Sequence, residues 1–194
     1  MSKIIALDIG GVVISISPGE CLKNLGYPAG SEIPRPIYEN MILLETGQIS
    51  EKESIAAVHE ATDGKYSDDK IISAFNSILG EPVEGMLDIM RKMTESGFRL
   101  VFFSNTSKIH MTHIYKHYEI CTLVSGAVLS YEVGAMKPEK KIYDAFEEQF
   151  GKPFLYLDDR EENIRAGLEM GWNSILFKDK YSLKGGNFKI ASMS

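Results

Sequence analysis

The sequence is short of cysteine and of long hydrophobic runs, and each shortage excludes a class of protein. Only two of its 194 residues are cysteines, Cys21 and Cys121. Two are too few for a disulfide scaffold, and their separation does not match the CxxC spacing of metal or redox sites. We therefore expect two reduced thiols, as is usual in the cytoplasm. No apolar run approaches the roughly 20 residues that a membrane-spanning helix needs, so we expect no membrane partner.

Basic residues are outnumbered by acidic ones, which argues against a nucleic-acid partner. The chain has 21 Lys and Arg residues against 27 Asp and Glu residues, a formal net charge of −6. Proteins that bind a phosphate backbone normally carry a basic patch or stripe. The hydrophobic fraction of 44% and charged fraction of 25% are typical of a folded globular protein. The first residues predict a strand that reaches Asp8 and not a secretory signal, so we expect a cytoplasmic protein.

Five short apolar segments predict the strands of a parallel sheet. They are β-branched or aromatic and too short for helices, and they cover residues 4–9, 99–103, 123–129, 154–157 and 174–177. Most are apolar nearly throughout, as in strands that are covered on both faces. Helical patterns lie between them. The fold class predicted is therefore α/β, with a doubly wound, mostly parallel sheet.

A run of helical patterns interrupts this alternation, and we call residues 15–84 the helical insert. Ser50, followed three residues later by Glu53, is a capping-box signature for one of its helices. We find no convincing strand pattern in the insert after its first few residues. The predicted division is thus an α/β core of residues 1–14 and 85–194 around the insert. The segment after Phe177 shows no strong period and is assigned no more than a short strand or loose cover.

Polar residues follow the ends of the predicted parallel strands, which is where open α/β sheets bind ligands, and one more lies in a later loop. They are Asp8, Ser104, Asn105, Lys137, Asp158 and Asp159. Three carboxylates at one place repel one another unless a cation neutralises them, and an all-oxygen site suits Mg²⁺. Lys137 and Ser104 could bind the oxygens of an anion such as phosphate. Asp8 could then attack phosphorus, because carboxylates form covalent aspartyl-phosphate intermediates.

Four segments that contain these residues resemble, in order, the four motifs of the haloacid dehalogenase-like hydrolase superfamily. They are ALDIGGVV around Asp8, FFSNT around Ser104, KP at Lys137 and YLDD ending at Asp159. The helical insert resembles the type-one cap of that family, so the likeness covers essentially the whole chain. It implies a Rossmann-like core and a phosphatase that acts on a small phosphorylated metabolite. A monomer or weak homodimer is expected.

The resemblance also implies a role for each of these residues. Asp8 is the nucleophile, and Lys137 is the second catalytic residue, which restrains the charge of Asp8. Ser104, Asn105 and Lys137 bind the phosphoryl group of the substrate. The implied cofactor is Mg²⁺, and its ligands are Asp8, the backbone carbonyl of Gly10, Asp158 and Asp159.

Two alternatives to a metal-dependent phosphatase bear on the acidic pair Asp158-Asp159. Acidic residues are favoured at a helix N-terminus by the helix dipole, so the pair could be a solvated helix start. Alternatively, the chain could resemble the dehalogenase branch of the superfamily, in which the same aspartate attacks carbon and no metal is needed. In that branch the pair would be an unexplained electrostatic cost, which disfavours it.

Gly10 departs from the family pattern, which usually has a second aspartate there as general acid and base. General acid–base catalysis contributes roughly 10²–10⁴-fold to a rate. The substrate could have a leaving group that needs no proton, such as an anomeric sugar phosphate or an acyl phosphate. A residue of the insert could supply the proton, or the chain could bind phosphate without catalysis. The candidate proton donors are Glu20, Glu39, Glu45 and His59. The DxGGV pattern resembles a subset that includes sugar-1-phosphate phosphatases, which favours the first explanation.

Three histidines lie on one face of a predicted helix and could suggest a zinc site. They are His110, His113 and His117. The first and last are two turns apart, about 10 Å along the helix axis, which is too far for one ion to bridge. We therefore interpret them as a polar or half-buried helix face.

Overall fold

The strands confirm the predicted α/β class. The computed structural model describes residues 3–184, so the segment from residue 185 onward, part of the unassigned tail, lies outside the described residues. The strands in the described part are β1 (Ile4–Leu7), β2 (Ile14–Ile16), β3 (Leu79–Pro82), β4 (Arg99–Ser104), β5 (Val124–Leu129), β6 (Leu155–Asp158) and β7 (Ser174–Leu176). Five of them form a parallel sheet in the order β5-β4-β1-β6-β7, and each was predicted to within two residues.

The helices separate into those of the insert and those between the strands of the sheet. The insert contains α1 (Pro18–Asn24), α2 (Arg35–Glu45), α3 (Glu51–Ala61) and α4 (Asp68–Asn76). The remainder contains α5 (Met86–Glu95), α6 (Lys108–His117), α7 (Ser130–Val133), α8 (Lys140–Phe150) and α9 (Glu161–Glu169), with 3₁₀ turns at Glu119–Leu123 and Ser182–Lys184. The predicted capping box is present, because Ser50 and Glu53 bond each other's backbone N–H groups at the start of α3. No helix in residues 3–184 is long and apolar enough to cross a membrane.

Strand β1 directs alternate side chains into two hydrophobic cores, one on each face of the sheet. Ile5 and Leu7 pack with residues of α5 and α6, whereas Ala6 packs with residues of α8 and α9. This alternation follows from the period of two in a strand, and it explains why the strand is apolar throughout. The second core is rich in aromatic rings, with Phe103 at its centre and Trp172 5.6 Å from it between ring centroids.

The insert has a core of its own, which is distinct from the two cores of the sheet. It is formed by buried residues of all four insert helices, among them Ile37, Val58, Ile71 and Phe75. Ile109 of α6 also belongs to this core, so the insert packs on the α/β part next to the start of α6. This contact places the insert helices beside the ends of the central strands.

Strands β2 and β3 were not predicted, and the expectation of no strand after the first few residues of the insert is wrong at β3. They form an antiparallel pair in which Ile16 lies opposite Leu79 and Ile14 opposite Pro82. Strand β3 has the sequence LGEP, and glycine and proline are both depleted in strands. The pairing is therefore imposed by the tertiary fold, which brings the two ends of the insert together beside Gly10.

Candidate active site

The three central strands of the sheet end at the same level and bring their terminal residues together. The register pairs Leu7 of β1 with Phe102 of β4 and with Leu157 of β6. Asp8 therefore follows β1 at the level where β4 approaches its end at Ser104 and β6 ends at Asp158. This convergence follows from the parallel arrangement itself, because the carboxyl ends of parallel strands lie at one edge of the sheet.

Lys137 is buried between two carboxylates. Its ammonium nitrogen lies 3.0 Å from Oδ1 of Asp8 and 2.6 Å from Oδ2 of Asp158, and it donates to the carbonyl oxygen of Phe103 at 2.7 Å. These contacts use the three donor hydrogens of an ammonium group. Burial by itself would lower the pKa of Lys137, but the charges of Asp8 and Asp158 outweigh it and raise the pKa above its ordinary value. The lysine is therefore charged at any physiological pH.

Asp158 is held by four donors, two on each carboxylate oxygen. Oδ2 accepts from Lys137 and from the hydroxyl of Tyr156 at 2.5 Å. Oδ1 accepts from the backbone N–H of Arg160 and from the side-chain amide of Asn163, both at 2.9 Å. Burial raises the pKa of Asp158, but Lys137 and these hydrogen bonds lower it below its usual value. Tyr156 was missed at the sequence level, because a buried tyrosine carries no motif.

The carboxylate cluster has an excess of negative charge. Oxygens of Asp8, Asp158 and Asp159 can all lie within 4.8 Å of one another, and Lys137 neutralises only part of their charge. Burial and the charge of Asp158 raise the pKa of Asp8 to about 6, although Lys137 and a hydrogen bond from Ser104 oppose the rise. Burial and Asp158 also raise the pKa of Asp159. An all-oxygen set with surplus negative charge is a suitable site for a hard divalent cation.

Gly11 is required for the position of Asp159. Its backbone has a φ of +72°, which L-residues with a side chain rarely adopt. A Cβ atom on Gly11 would also overlap the carboxylate of Asp159. The second glycine after the first strand therefore permits the turn and leaves room for the carboxylate.

Asn105 binds the main chain of Lys137. Its amide nitrogen donates to the carbonyl of Lys137 at 2.9 Å, and its Oδ1 accepts the N–H of Lys137 at 2.7 Å. Asn105 was predicted to bind substrate, and in the structure both atoms of its amide contact the main chain of Lys137. Ser104 is buried, and its hydroxyl lies close enough to Asp8 to lower the pKa of that carboxyl.

A cavity of about 280 Å³ lies over this cluster, between the insert and the ends of the strands. The predicted site residues that line it are Asp8, Gly10, Ser104, Asn105, Lys137 and Asp159. Residues of the insert and of β2 and β3 also line it, namely Ile16, Glu45, Ile78 and Leu79. Asp158 does not line the cavity, because it is fully buried beneath Lys137.

Glu45 differs from the other three candidate proton donors of the insert in its position. Glu20 is partly exposed and paired with a lysine at 3.2 Å, and Glu39 is exposed and paired with an arginine at 2.7 Å. His59 contacts Asp68 at 2.7 Å and lines a different cavity. Glu45 alone of the four lines the cavity over Asp8.

The three histidines are divided between two cavities. His110 is buried and lines the cavity over Asp8. His113 and His117 have ring centroids 4.4 Å apart and line a larger cavity of about 690 Å³ between α3, α4 and α6. That larger cavity shares no lining residue with the carboxylate site. Among the described residues, the group of three or more potential metal ligands is the aspartate cluster and includes no histidine.

Residues 3–171 match the sequence model of the haloacid dehalogenase-like hydrolases. The structure is similar to that of a HAD family enzyme from Bacteroides thetaiotaomicron, with a TM-score of 0.82, 25% identity, and coverage of 92% of this chain and 95% of that one. The wild-type form of that enzyme in complex with magnesium and inorganic phosphate gives a TM-score of 0.78 at 26% identity, over 93% of this chain and 96% of that one. A predicted HAD-like family hydrolase from Porphyromonas gingivalis shares the fold, with a TM-score of 0.76, 18% identity and coverage of 93% of both chains.

Proposed function

Because the chain belongs to the haloacid dehalogenase-like hydrolase family, we propose that it is a Mg²⁺-dependent phosphatase that is phosphorylated on Asp8 during each turnover. The observation that carries this proposal is the buried contact of Asp8 with Lys137 at the base of a cavity that Asp159 also lines. A similar enzyme at 26% identity has been seen with magnesium and inorganic phosphate together, which supports both the metal and the ligand.

The metal would be held by oxygen atoms at the floor of the cavity. In the proposal its ligands are the carboxylates of Asp8 and Asp159 and the backbone carbonyl of Gly10, all on residues that line the cavity. Asp158, the fourth predicted ligand, adds its charge from below while its oxygens bind protein donors. When bound, Mg²⁺ supplies positive charge that offsets the carboxylates and polarises the phosphoryl group.

The side chains around Asp8 hold the phosphoryl group and the nucleophile. Lys137 and Ser104 line the cavity beside Asp8 and offer an ammonium and a hydroxyl to the phosphoryl oxygens. Oδ1 of Asp8 accepts from the N–H of Ile9 at 2.8 Å and lies 3.0 Å from Lys137, so the carboxylate is held in one orientation. Fixed dipoles and charges of this kind stabilise charge that develops in a transition state.

A second set of residues positions Lys137. Asp158 anchors its ammonium group from below, and Asn105 anchors its main chain. Tyr156 and Asn163 in turn fix Asp158. Their proposed contribution is geometric, because a displacement of about 1 Å at a reacting group can cost as much as 100-fold in rate.

The size and position of the cavity favour a small phosphorylated substrate. Its volume of about 280 Å³ is at or just below the lower end of ordinary ligand pockets. One wall comes from the helical insert of residues 15–84, which we propose as the unit that selects the substrate over the core of residues 1–14 and 85–194. A sugar phosphate is the favoured class because of the DxGGV pattern. The cytoplasmic location and the monomeric or weakly dimeric state stay predictions.

Phosphate release tests the proposal. We expect the chain to release phosphate from at least one member of a panel of sugar phosphates, acetyl phosphate and p-nitrophenyl phosphate, and only with Mg²⁺. Asp8→Asn should abolish the release, and Glu39→Gln, an exposed charge on α2, should not alter it. If the wild type is no faster than Asp8→Asn on every substrate, the phosphatase assignment fails. Phosphate binding without turnover would then support the second candidate, a catalytically impaired phosphate-binding protein, which Gly10 favours.

A further inference from the structure

The position two residues after Asp8 has no acidic side chain, and a side chain there would crowd strand β2. The backbone of Gly10 is not in the left-handed region, so conformation alone would allow another residue. A Cβ atom there, however, would lie 3.0 Å from Cγ1 of Ile16, closer than ordinary carbon contacts. A side chain at position 10 would therefore press against Ile16 of strand β2. A proton donor for this site has to come from another element.

We propose that Glu45 is the general acid and base of the Asp8 reaction, and that the helical insert thereby supplies the proton transfer that Gly10 cannot. The inference rests on the proposed phosphatase function and adds a catalytic residue to it. It follows from the position of Glu45, which lines the same cavity as Asp8 and belongs to the insert.

The end of α2 is fixed against the α/β core, so the position of Glu45 is set by packing. Helix α2 ends at Glu45, and the turn continues through Thr46 to Gly47. Gly47 adopts a φ of +65°, and a Cβ atom on it would overlap the backbone carbonyl of Tyr131 in α7. The chain thus passes directly against the core two residues after Glu45. The hydroxyl of Thr46 donates to the carbonyl of Ile42 at 2.7 Å and closes the last turn.

The surroundings of Glu45 suit a carboxyl group that exchanges a proton. Within residues 3–184, no ion pair or hydrogen bond neutralises its side chain, in contrast to Glu39 on the same helix. Its half-buried position and the nearby charge of Asp8 raise the pKa of Glu45 to about 7. The carboxyl end of a helix also disfavours a negative charge. Both protonation states are therefore accessible near neutral pH.

His110 is another proton-exchanging side chain that lines this cavity, and its contacts disfavour the same role. Its Nδ1 atom lies 3.3 Å from Oδ1 of Asn76, which fixes the ring toward α4. Burial and then the charge of His113 lower the pKa of His110 to about 4, so the ring is neutral when the enzyme would act. Asp159 also lines the cavity, but in the proposed function it binds the metal.

In the proposed reaction Glu45 gives up a proton in the first half-reaction and takes one back in the second. In the first, an oxygen of Asp8 bonds to phosphorus while the bond from phosphorus to the leaving oxygen breaks, and the leaving oxygen takes that electron pair and the proton of Glu45. In the second, water attacks phosphorus, Glu45 takes a proton from the water, and the bond to Asp8 breaks. The products are an alcohol and inorganic phosphate, and both carboxyl groups return to their initial states.

The leaving group distinguishes this role from any other contribution of Glu45. An alkoxide needs a proton in order to leave, whereas the acetate of acetyl phosphate does not. We therefore expect Glu45→Gln to lower the rate of Asp8 phosphorylation by a sugar phosphate whose leaving oxygen is a primary alcohol about 100-fold or more, and to alter phosphorylation by acetyl phosphate much less. The second half-reaction needs a base, which Glu45→Gln lacks. With acetyl phosphate this variant should therefore release a burst of one acetate per chain and then turn over slowly.

The test is a rapid-quench comparison of wild type, Glu45→Gln and the matched variant Glu39→Gln, which removes an exposed charge from the same helix. Glu39→Gln should behave as the wild type on both substrates. Equal loss on sugar phosphate and acetyl phosphate, or no loss with Glu45→Gln, would overturn the assignment of Glu45 while leaving the phosphatase intact. A wild type that forms no phosphorylated Asp8 with either compound would overturn the proposed function and this inference together. Unchanged thermal melting of Glu45→Gln serves as the folding control.

Discussion

The ammonium nitrogen of Lys137 lies 3.0 Å from Oδ1 of Asp8, and both side chains are almost wholly buried. The removal of two charges from water costs several kcal/mol per ion, so such a pair is weak support for stability. Its geometry instead serves the nucleophile, which is oriented and partly neutralised at the base of the cavity. The two partners should consequently behave very differently when each is replaced.

Replacement of Lys137 should destabilise the protein severely. Lys137→Met leaves Asp8 and Asp158 buried together without a counter-charge, and we expect a loss of about 3–5 kcal/mol in the free energy of unfolding. Urea unfolding in metal-free buffer measures this loss, and Mg²⁺ should recover part of it. Lys140→Met is the matched control, because it breaks an exposed pair with Asp144 and should cost about 1 kcal/mol or less. Equal losses for the two variants would contradict the burial argument.

Replacement of Asp8 should abolish activity and yet raise stability in metal-free buffer. The pKa of Asp8 is raised from 3.8 to about 6, so the folded state binds this proton more tightly than the unfolded state does. Its contribution is fully present below about pH 4 and is lost as the pH rises through about 6. Near pH 7, Asp8→Asn should therefore be more stable than the wild type by up to about 3 kcal/mol. The difference should vanish near pH 4, and a destabilised variant at pH 7 would contradict the charge excess of the cluster.

Gly11→Ala should weaken metal binding, because the new methyl group would displace the carboxylate of Asp159. We expect the Mg²⁺ concentration for half-maximal activity to rise about 10–100-fold. Gly97→Ala is the control, since Gly97 has a φ of +83° with no atom within 4 Å of an added Cβ. Both variants strain the backbone by roughly 1–2 kcal/mol, and only the first touches the site. A similar Mg²⁺ requirement in both would show that Asp159 is not a ligand.

His110 should make the protein sensitive to acid. Its pKa in the folded protein is lowered from 6.5 to about 4 by burial and then by His113, so the unfolded state binds the proton more tightly. Stability present above pH 6.5 is lost as the pH falls toward 4, by up to about 3 kcal/mol. His110→Gln should flatten this decline in urea unfolding measured from pH 7 to pH 4. The exposed His117→Gln should retain it, and an unchanged slope in His110→Gln would refute the prediction.

The sheet is predictable from the sequence because its strands are buried on both faces. A strand such as Arg99–Ser104 has five consecutive buried residues, and the first four of them form an uninterrupted apolar run in the sequence. The pair β2 and β3 has no such signal, since Leu79–Pro82 is only partly buried and contains glycine and proline. Its pairing depends on how the two ends of the insert meet, which no local pattern encodes.

The part of the site that lies at the strand ends is also predictable from the sequence. Asp8, Ser104 and Asp158 follow from the rule that parallel strands end at one edge, and all three lie there. The sequence could not select Glu45 among the four candidate donors, because the choice depends on where the end of α2 rests on the core. Nor could it show that Asp158 is surrounded by four donors beneath Lys137. Packing between distant segments decides both.

The measurement that tests the central claim most directly is the mass of the intact protein after acid quench. Wild type mixed with acetyl phosphate and Mg²⁺ should gain the mass of one phosphoryl group, and fragmentation should place it on Asp8. Asp8→Asn should gain nothing, and removal of Mg²⁺ should prevent the gain in the wild type. A wild-type protein that hydrolyses the substrate without a phosphorylated Asp8, or that is phosphorylated on another residue, would contradict the account.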